Sequence, residues 1–245
     1  MAVTGDLAPL VQKLRSRSPL DGGDCDRILA LPHVVQRHHA LSYILREGDR
    51  PLPHCCMVRT GFAFGQKLTA QGDRQIVSVR MAGELLDAQM LFLERCDHNM
   101  QALTDLELVA IQRAALQQLI LARPAVARAL WIDTLVDASV HREWVLNVGR
   151  RDARARIAHL LCELALRARA AGIGTETRFE LPMTQEQLGD AVGLTAVHVN
   201  RTLKSLAADG VVQRDKRFVQ LCGWDEVRAI GDFNALYLHH VPLAT

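Results

Sequence analysis

The stretch that decides the fold runs from Thr184 to Val212 and reads TQEQLGDAVGLTAVHVNRTLKSLAADGVV. Thr184 followed three residues later by Gln187 is the pattern of a capping box, in which two side chains bond the free backbone N–H groups at a helix start. Gly193 suits a turn with positive φ, because glycine has no Cβ to clash. Thr195 then suits the N-cap of a second helix. The stretch therefore predicts two short helices joined by a tight glycine turn.

The second of these helices has two chemically different faces. Val199, Leu203 and Leu206 recur at i, i+4 and i+7, which predicts one buried face. Spacings of three and four residues bring the remaining side chains together on the other face. That face consists of Val197, His198, Asn200, Arg201 and Lys204. A polar and basic second helix of this kind is typical of a helix-turn-helix, which places it in the major groove of DNA.

A short hairpin is predicted after the second helix. The segment VVQRDKRFVQL, residues 211–221, has a polar turn at Asp215-Lys216-Arg217 between two strand-like pieces. Basic residues at the tip of such a wing suit contact with DNA phosphates. Upstream, Arg178 to Pro182 is interpreted as a short extended piece. The alternative is an ordinary helix pair with a solvated charged face, which leaves the agreement of cap, turn, core spacing and wing unexplained.

A long helical segment precedes this motif. A helix from Pro124 to Val148 would be roughly 37 Å long, and Gly149 is interpreted as a break or a close contact. A second helix is predicted from Arg150 to Ala171. The first helix carries an apolar stripe made of Val126, Leu130, Leu135, Val140, Trp144 and Val148. This stripe could cover the N-terminal domain, meet the same stripe of a second subunit, or pack only within its own chain.

The N-terminal half is predicted to be mostly β-structure. From Tyr43 to Ile120 short strand-like pieces alternate with turn signals, such as the predicted hairpin turn at Ala70 to Arg74. Several short strands at this spacing favour a small antiparallel roll or barrel. The first forty residues are interpreted as helical, from Ala8 to Leu14 and from Cys25 to Leu31.

Composition excludes several classes of protein. Hydrophobic residues make up 49% of the chain and charged residues 23%, as in ordinary soluble domains. We find neither a long apolar run nor a signal peptide, and so expect a cytoplasmic protein. The six cysteines show no zinc spacing and are expected to be packed and reduced. We see no paired catalytic carboxylates, G-x-S-x-G motif or P-loop, and therefore expect no enzyme.

Charge is unevenly distributed along the chain. The formal net charge is only +2. Residues 150–217, however, hold twelve basic against eight acidic side chains, and the remainder is slightly acidic. This excess favours an anionic partner for the C-terminal part.

On these residues, the chain resembles the Crp/Fnr family of bacterial transcription regulators. The stretch 184–212 is similar to the DNA-binding motif of that family. NVGRRDARARIAHLLCEL, residues 147–164, resembles the end of its dimerisation helix and the helix after it, and GDRQIVSVRMAGE, residues 72–84, resembles part of its β-roll. The resemblance implies an α+β fold with three parts. These are an antiparallel, jelly-roll-like β-roll sensor domain over residues 1–120, a dimerisation helix over 121–150 and a winged helix-turn-helix over 151–245.

The resemblance also implies a function. It implies a homodimeric, sequence-specific regulator of transcription whose partners are double-stranded DNA and RNA polymerase. The predicted DNA-binding residues are Thr184, Gln185, Thr195, Val197, His198, Asn200, Arg201, Lys204, Lys216 and Arg217. Arg201 is the candidate for a guanine contact, because a guanidinium can bond O6 and N7 together. Val197 stands where many relatives carry glutamate, so the operator is not carried over. The alternative function is a sensing module for a nucleotide or a haem, with DNA binding secondary.

The resemblance leaves the effector open. Relatives that bind a cyclic nucleotide carry Gly-Glu for the ribose and Arg-Ser or Arg-Thr for the phosphate. Here the alignment puts Asp87-Ala88 and His98-Asn99 at those places. Because a buried phosphate needs a cation, cAMP is disfavoured. We predict no cofactor and no metal. The remaining effector candidates are Gly83, Glu84, Arg95, His98 and Asn99, and a haem stays open through His33, His38, His39, His54 and His98.

Overall fold

The computed structural model describes residues 4–239. The chain divides into two compact units. The first comprises the chain up to Lys67 together with Val79–Ala138, and the second comprises Leu68–Ser78 and Ser139–Leu238. Each unit has its own buried core.

Two helices open the first unit, as predicted. They are α1 (Ala8–Arg15) and α2 (Gly22–Leu29). Helix α2 starts three residues earlier than expected, because Asp21 and Asp24 form a capping box at its N-terminus. Both helices contribute to one apolar core, which includes Leu10, Ile28 and Val109.

The strands form two sheets. The bounds are β1 (His33–His38), β2 (Tyr43–Leu45), β3 (His54–Thr60), β4 (Ala63–Leu68), β5 (Arg74–Arg80), β6 (Asn99–Ala102) and β7 (Leu106–Gln112). One sheet has the order β1-β7-β3 and is antiparallel, and the other has the order β2-β6-β4-β5. The hairpin turn predicted at Ala70 to Arg74 connects β4 and β5.

The predicted limits of the β-region, Tyr43 and Ile120, were wrong at both ends. Strand β1 begins ten residues earlier, at His33, and its side chains are exposed or half-buried, so it lacks the buried apolar alternation that marks a strand in the sequence. The region ends at Gln112, and α3 (Arg113–Ala122) follows. Its sequence, RAALQQLILA, is rich in strong helix formers, and Leu116 and Leu119 supply its buried face.

The long helix, α4, spans Pro124–Arg150 without interruption. The predicted break or close contact at Gly149 was wrong, because a Cβ there would meet nothing within 4 Å. The next helix, α5 (Ala153–Ala170), starts three residues later than predicted. Asp152 caps it by accepting a hydrogen bond from the Ala155 N–H at 2.9 Å.

Helix α4 has a buried and an exposed apolar face. Val126, Leu130 and Trp144, members of the predicted stripe, are buried within their own chain. Trp131, Leu135, Val145 and Leu146 are exposed instead. Leu135 was also predicted to lie in the stripe, and Val140 and Val148 are half-buried, so the chain's own packing covers only half of the predicted stripe completely.

The second unit continues after α5. It contains α6 (Gln185–Val192), α7 (Ala196–Ala208) and α8 (Trp224–Ile230). Strands β8 (Arg178–Glu180), β9 (Val212–Asp215) and β10 (Phe218–Leu221) form an antiparallel sheet in the order β8-β10-β9. The predicted wing is thus confirmed, and the extended piece at 178–182 supplies its third strand.

Two further predictions can be compared with the structure. Over residues 4–239, no helix combines the length and the apolarity that a membrane crossing requires. All six cysteines have free thiols, five of them buried and Cys222 exposed.

Candidate nucleic-acid interface

The N-terminus of α6 is fixed by the predicted capping box. The Gln187 N–H donates to Thr184 Oγ1 at 3.1 Å, and the Thr184 N–H donates to Gln187 Oε1 at 2.9 Å. Gln187 is buried, although it is polar, because its carbonyl oxygen is used in this way. The box sets where α6 begins and therefore where the following turn lies.

Two glycines, one in α6 and one in the turn that follows it, allow α6 and α7 to be joined closely. Gly193 has φ +67°, as expected for a left-handed C-terminal residue. Gly189 was not singled out in the sequence. A Cβ on Gly189 would lie 2.3 Å from the Leu194 carbonyl oxygen, so only glycine allows the two helices to approach this closely.

An arginine from α5 completes the turn. Arg156 Nη1 donates to the carbonyl oxygens of Val192 at 3.1 Å and Gly193 at 3.4 Å. These carbonyls end a helix and have no partner within it. Arg156 therefore has a structural role, which the charge count of the segment could not reveal.

Helix α7 buries a face close to the predicted one. Thr195 caps it, since its Oγ1 accepts from the His198 N–H at 3.3 Å. Val199 and Leu206 are fully buried, as predicted. The third buried residue is Thr202, however, and Leu203 is only half-buried. The prediction for Leu203 was wrong because apolar spacing alone does not separate i+3 from i+4 at the edge of a face.

The opposite face of α7 lies in solvent. Val197 is 71% exposed. His198, Arg201 and Lys204 are exposed and Asn200 is half-buried. Over residues 4–239, the side chains of His198, Arg201 and Lys204 make no hydrogen bond or ion pair with the protein. Their donors are available to another molecule.

Of the two predicted cations at the tip of the wing, one is paired and the other has no partner in the described part of the chain. Lys216 is exposed at the β9–β10 turn, where it adopts φ +52°. Arg217 Nη2 lies 2.8 Å from Glu180 Oε1. Arg214 is exposed but donates to the Met183 carbonyl at 2.9 Å, and partial desolvation of its guanidinium lowers its pKa. Lys216 is therefore the readier phosphate donor of the two predicted wing cations.

A buried carboxylate of α5 links α4, α5 and the segment around Tyr237 through hydrogen bonds. Glu163 of α5 is completely buried and accepts from Trp144 Nε1 at 3.0 Å, Arg167 Nη1 at 3.0 Å and the Tyr237 hydroxyl at 2.9 Å. Burial raises the pKa of Glu163, while these three donors act in the opposite direction. Trp144 and Tyr237 lie 19 and 74 residues away along the chain, so no local pattern could have predicted the network.

Each of the candidate effector-binding residues contacts other residues of the protein. Glu84 is buried and accepts from Lys13 Nζ at 3.0 Å. Gly83 adopts φ +86°, and a Cβ there would lie 2.7 Å from the Pro9 carbonyl oxygen. Asn99 Oδ1 accepts from the Glu47 N–H at 3.1 Å.

The two remaining candidates also have neighbours of their own. Arg95 donates to the Gly48 carbonyl at 3.0 Å, and His98 contacts Asp97 at 2.8 Å. None of these contacts links one of the five candidates to another.

Asp87 stands where the resemblance places the start of the ribose-binding pair. It is 2% exposed, and its Oδ1 accepts from Cys55 Sγ at 3.0 Å and the Cys56 N–H at 2.8 Å. A carboxyl group held inward in this way is unsuited to a sugar. Within the part of the chain that the structure describes, no three His, Cys, Asp or Glu side chains are grouped to hold a metal ion.

Comparison with known proteins gives matches in both units. Residues 35–123 match the model of the cyclic nucleotide-binding domain, and residues 155–230 match that of the Crp-like helix-turn-helix domain. The chain is 27% identical over 204 residues to the transcriptional activator protein FnrL of Cereibacter sphaeroides, covering 81% of each chain. It is 29% identical to the nitrogen fixation regulation protein FixK of Azorhizobium caulinodans, covering 67% of this chain and 65% of that protein.

A solved structure shares the fold. The structure of FixK2 from Bradyrhizobium japonicum superposes with a TM-score of 0.73 at 24% identity, covering 82% of this chain and 98% of that one.

Proposed function

The chain belongs to the Crp/Fnr family of transcription regulators, and we propose that it acts as a homodimer on a near-palindromic DNA site with α7 of each subunit in the major groove. The family match supports regulation of transcription through DNA binding, rather than catalysis. The site residues and the dimer are our proposal. Because the proposed binding partner is DNA, we place the protein in the bacterial cytoplasm. RNA polymerase is the further partner that we propose.

The observation that carries the proposal is the free face of α7. Arg201 is exposed one helical turn after Val197, and its guanidinium has no partner among residues 4–239. Leaving an arginine unpaired costs little at a surface, because surface ion pairs contribute at most about 1 kcal/mol. A free fork of N–H donors suits O6 and N7 of a guanine. We assign that contact to Arg201.

The phosphate contacts follow from the elements around α7. Thr184, Gln185 and Thr195 lie at the starts of α6 and α7, where backbone N–H groups favour an anion. Lys204 and Lys216 are exposed cations without a described partner. Arg217 joins them by exchanging Glu180 for a phosphate. Asn200 and His198 complete the surface that faces the groove.

The exposed face of α4 supports the dimer. Six residues recur at alternating intervals of four and three, the period of a coiled-coil seam: Trp131, Leu135, Ala138, Arg142, Val145 and Gly149. Trp131 is 66% exposed and Val145 is 74% exposed. Aromatic and branched apolar side chains at such positions gain about 1.5–3 kcal/mol each when they are covered. A second copy of the same helix covers both seams at once.

The proposal is tested by selecting bound sequences from random DNA. We expect the wild-type protein to select two half-sites related by a two-fold axis, with a guanine in each. Arg201→Ala should lose about 1–3 kcal/mol of binding and relax the preference at that guanine.

Arg27→Ala is the matched control for this variant. Arg27 is an exposed arginine on α2 and lies outside both the exposed face of α7 and the seam of α4, so its removal should leave selection unchanged. Unaltered base preference in Arg201→Ala would reject the assignment of Arg201, and failure to select any sequence would reject the function.

A further inference from the structure

An exposed valine lies near the start of α7. Val197 is the second residue of α7, and 71% of its surface is in solvent. Valine is not placed there to stabilise the helix, because its branched Cβ lowers helix propensity. Burial does not explain it either. A lone exposed valine on a surface is ordinary, but this one shares its face with His198, Arg201 and Lys204.

We propose that Val197 reads the 5-methyl group of a thymine in each half-site. The inference rests on the proposed function and deepens it by naming the base that the apolar residue recognises. In the major groove, each base pair shows hydrogen-bond donors and acceptors, and only thymine adds a methyl group. A valine side chain has no donor or acceptor. The single base feature that it favours is therefore the thymine methyl.

The position of Arg201 places this thymine close to the guanine. Val197 and Arg201 are four residues apart, so their Cβ atoms are roughly 5–6 Å from each other on one helix face. Successive bases on a strand are separated by about 3.4 Å along the duplex axis. The two side chains therefore meet base pairs that are adjacent or one step further apart. Each half-site contains a thymine within two base pairs of the guanine.

The start of α7 fixes how near Val197 comes to the bases. Thr195 caps the helix and thereby orders its first turn, whose backbone N–H groups can bind a phosphate. A short side chain reaches a base edge only when the helix N-terminus itself lies in the groove, which is the arrangement typical of a helix-turn-helix. Arg156 and Gly189 hold the preceding turn, as described above.

The apolar side chain of Val197 also predicts which base is not recognised. A carboxylate at this position would accept a hydrogen bond from the N4 amino group of cytosine. Valine offers no such acceptor, so cytosine gains nothing here. The operator should therefore favour thymine over cytosine at the base that faces Val197.

Replacing thymine by deoxyuridine in the selected site tests the proposal, because this removes only the methyl group. Each thymine is replaced in turn and the dissociation constants are measured by fluorescence anisotropy. Covering one methyl group is worth about 0.8 kcal/mol, which corresponds to about a fourfold change in affinity. For the wild-type protein we expect one position per half-site to weaken binding about fourfold. Replacing both copies should weaken it by roughly tenfold or more.

Val197→Ala supplies the comparison. This variant should bind the thymine and the uridine sites equally at that position, while other thymines behave as in the wild type. Because Val197 is exposed, the variant should unfold at the same temperature as the wild type. A second variant, Val197→Glu, should shift selection towards cytosine at the same base.

The outcomes separate this inference from the function on which it rests. A selected site in which no thymine responds to loss of its methyl group would overturn the role of Val197 while leaving DNA binding intact. The same holds if Val197→Ala and the wild type respond equally. Absence of any selected sequence would overturn both.

Discussion

Most arginines of the second unit are committed to the protein itself, which makes the free ones informative. Arg151 bonds Glu143 at 2.7 Å, Arg156 bonds Val192, and Arg214 bonds Met183. The basic excess of this segment therefore overstates the charge available to an anion. Arg201 and Lys204 have no partner among residues 4–239, and both lie on one face of α7.

The buried ring of His159 should make stability depend on pH. Its Nδ1 lies 3.1 Å from the Gly231 carbonyl oxygen, and its Nε2 lies 3.1 Å from the Tyr237 hydroxyl. Burial, together with the nearby Arg151 guanidinium, lowers the pKa of His159 from 6.5 to about 4. Between these two values the unfolded chain binds a proton that the folded chain does not. Stability is therefore kept above pH 6.5 and falls as the pH decreases towards 4.

Urea unfolding at several pH values measures this effect. Between pH 6.5 and pH 4 the wild-type protein should lose up to about 3 kcal/mol relative to His159→Gln, which has no ring to protonate. His198→Gln removes an exposed histidine and should follow the wild type throughout. If the wild type and His159→Gln lost stability in parallel, His159 would not be the group responsible.

At the scale of elements, the spacing of α6 and α7 depends on Gly189. Gly189→Ala would place a Cβ 2.3 Å from the Leu194 carbonyl oxygen, a backbone atom that cannot rotate away as a side chain would. The turn must then open, which we expect to cost roughly 1–3 kcal/mol and to displace α7 from its proposed position on DNA.

Chemical denaturation and DNA titration measure these two effects of Gly189→Ala. Gly22→Ala is the control, because a Cβ at the first residue of α2 meets nothing within 4 Å. That variant should be as stable as the wild type or slightly more so. A Gly189→Ala protein with wild-type stability and affinity would show that the close approach is unimportant.

The elements that sequence predicted were those with local signals. Thr184 and Gln187 marked one helix start, Thr195 marked the other, and Gly193 marked the turn. Each of these residues acts on backbone within three or four positions of itself, so its effect can be predicted without the fold. The start of α4 at Pro124 was predictable for the same reason.

The contacts that sequence could not predict are those between distant residues. Nothing near Glu163 in the sequence indicates that Trp144 and Tyr237 would enclose it. The periodicity of α4 likewise predicted an apolar stripe without showing what covers it. The positions that form the exposed face of α7 were predictable, because helical spacing alone places them on one side of the helix. The sequence could not show which cations of the second unit are bound to other groups of the protein.

The proposed regulator contains two copies of the chain, joined along α4. Val145→Glu puts a carboxylate in the exposed seam of α4, where it would face its own copy across a two-fold axis. We expect the dimer dissociation constant to rise at least tenfold, since the apolar contact is lost from both subunits and like charges are added.

Sedimentation velocity measures the dimer directly. Leu121→Glu is the control, because Leu121 of α3 is 84% exposed and lies outside the seam. It should sediment as the wild type does. An unchanged dimer in Val145→Glu would place the subunit interface elsewhere on the molecule.

In the proposed complex, the exposed face of α7 lies against base edges in two successive major grooves. Methylation interference with dimethyl sulfate probes this arrangement, since the reagent methylates guanine N7 on the major-groove edge. We predict that methylation interferes with binding at one guanine in each half-site, the two separated by about one helical turn of 10–10.5 base pairs, and that Arg201→Ala abolishes this interference. Binding that is indifferent to guanine N7 methylation, or interference that persists in Arg201→Ala, would contradict the account.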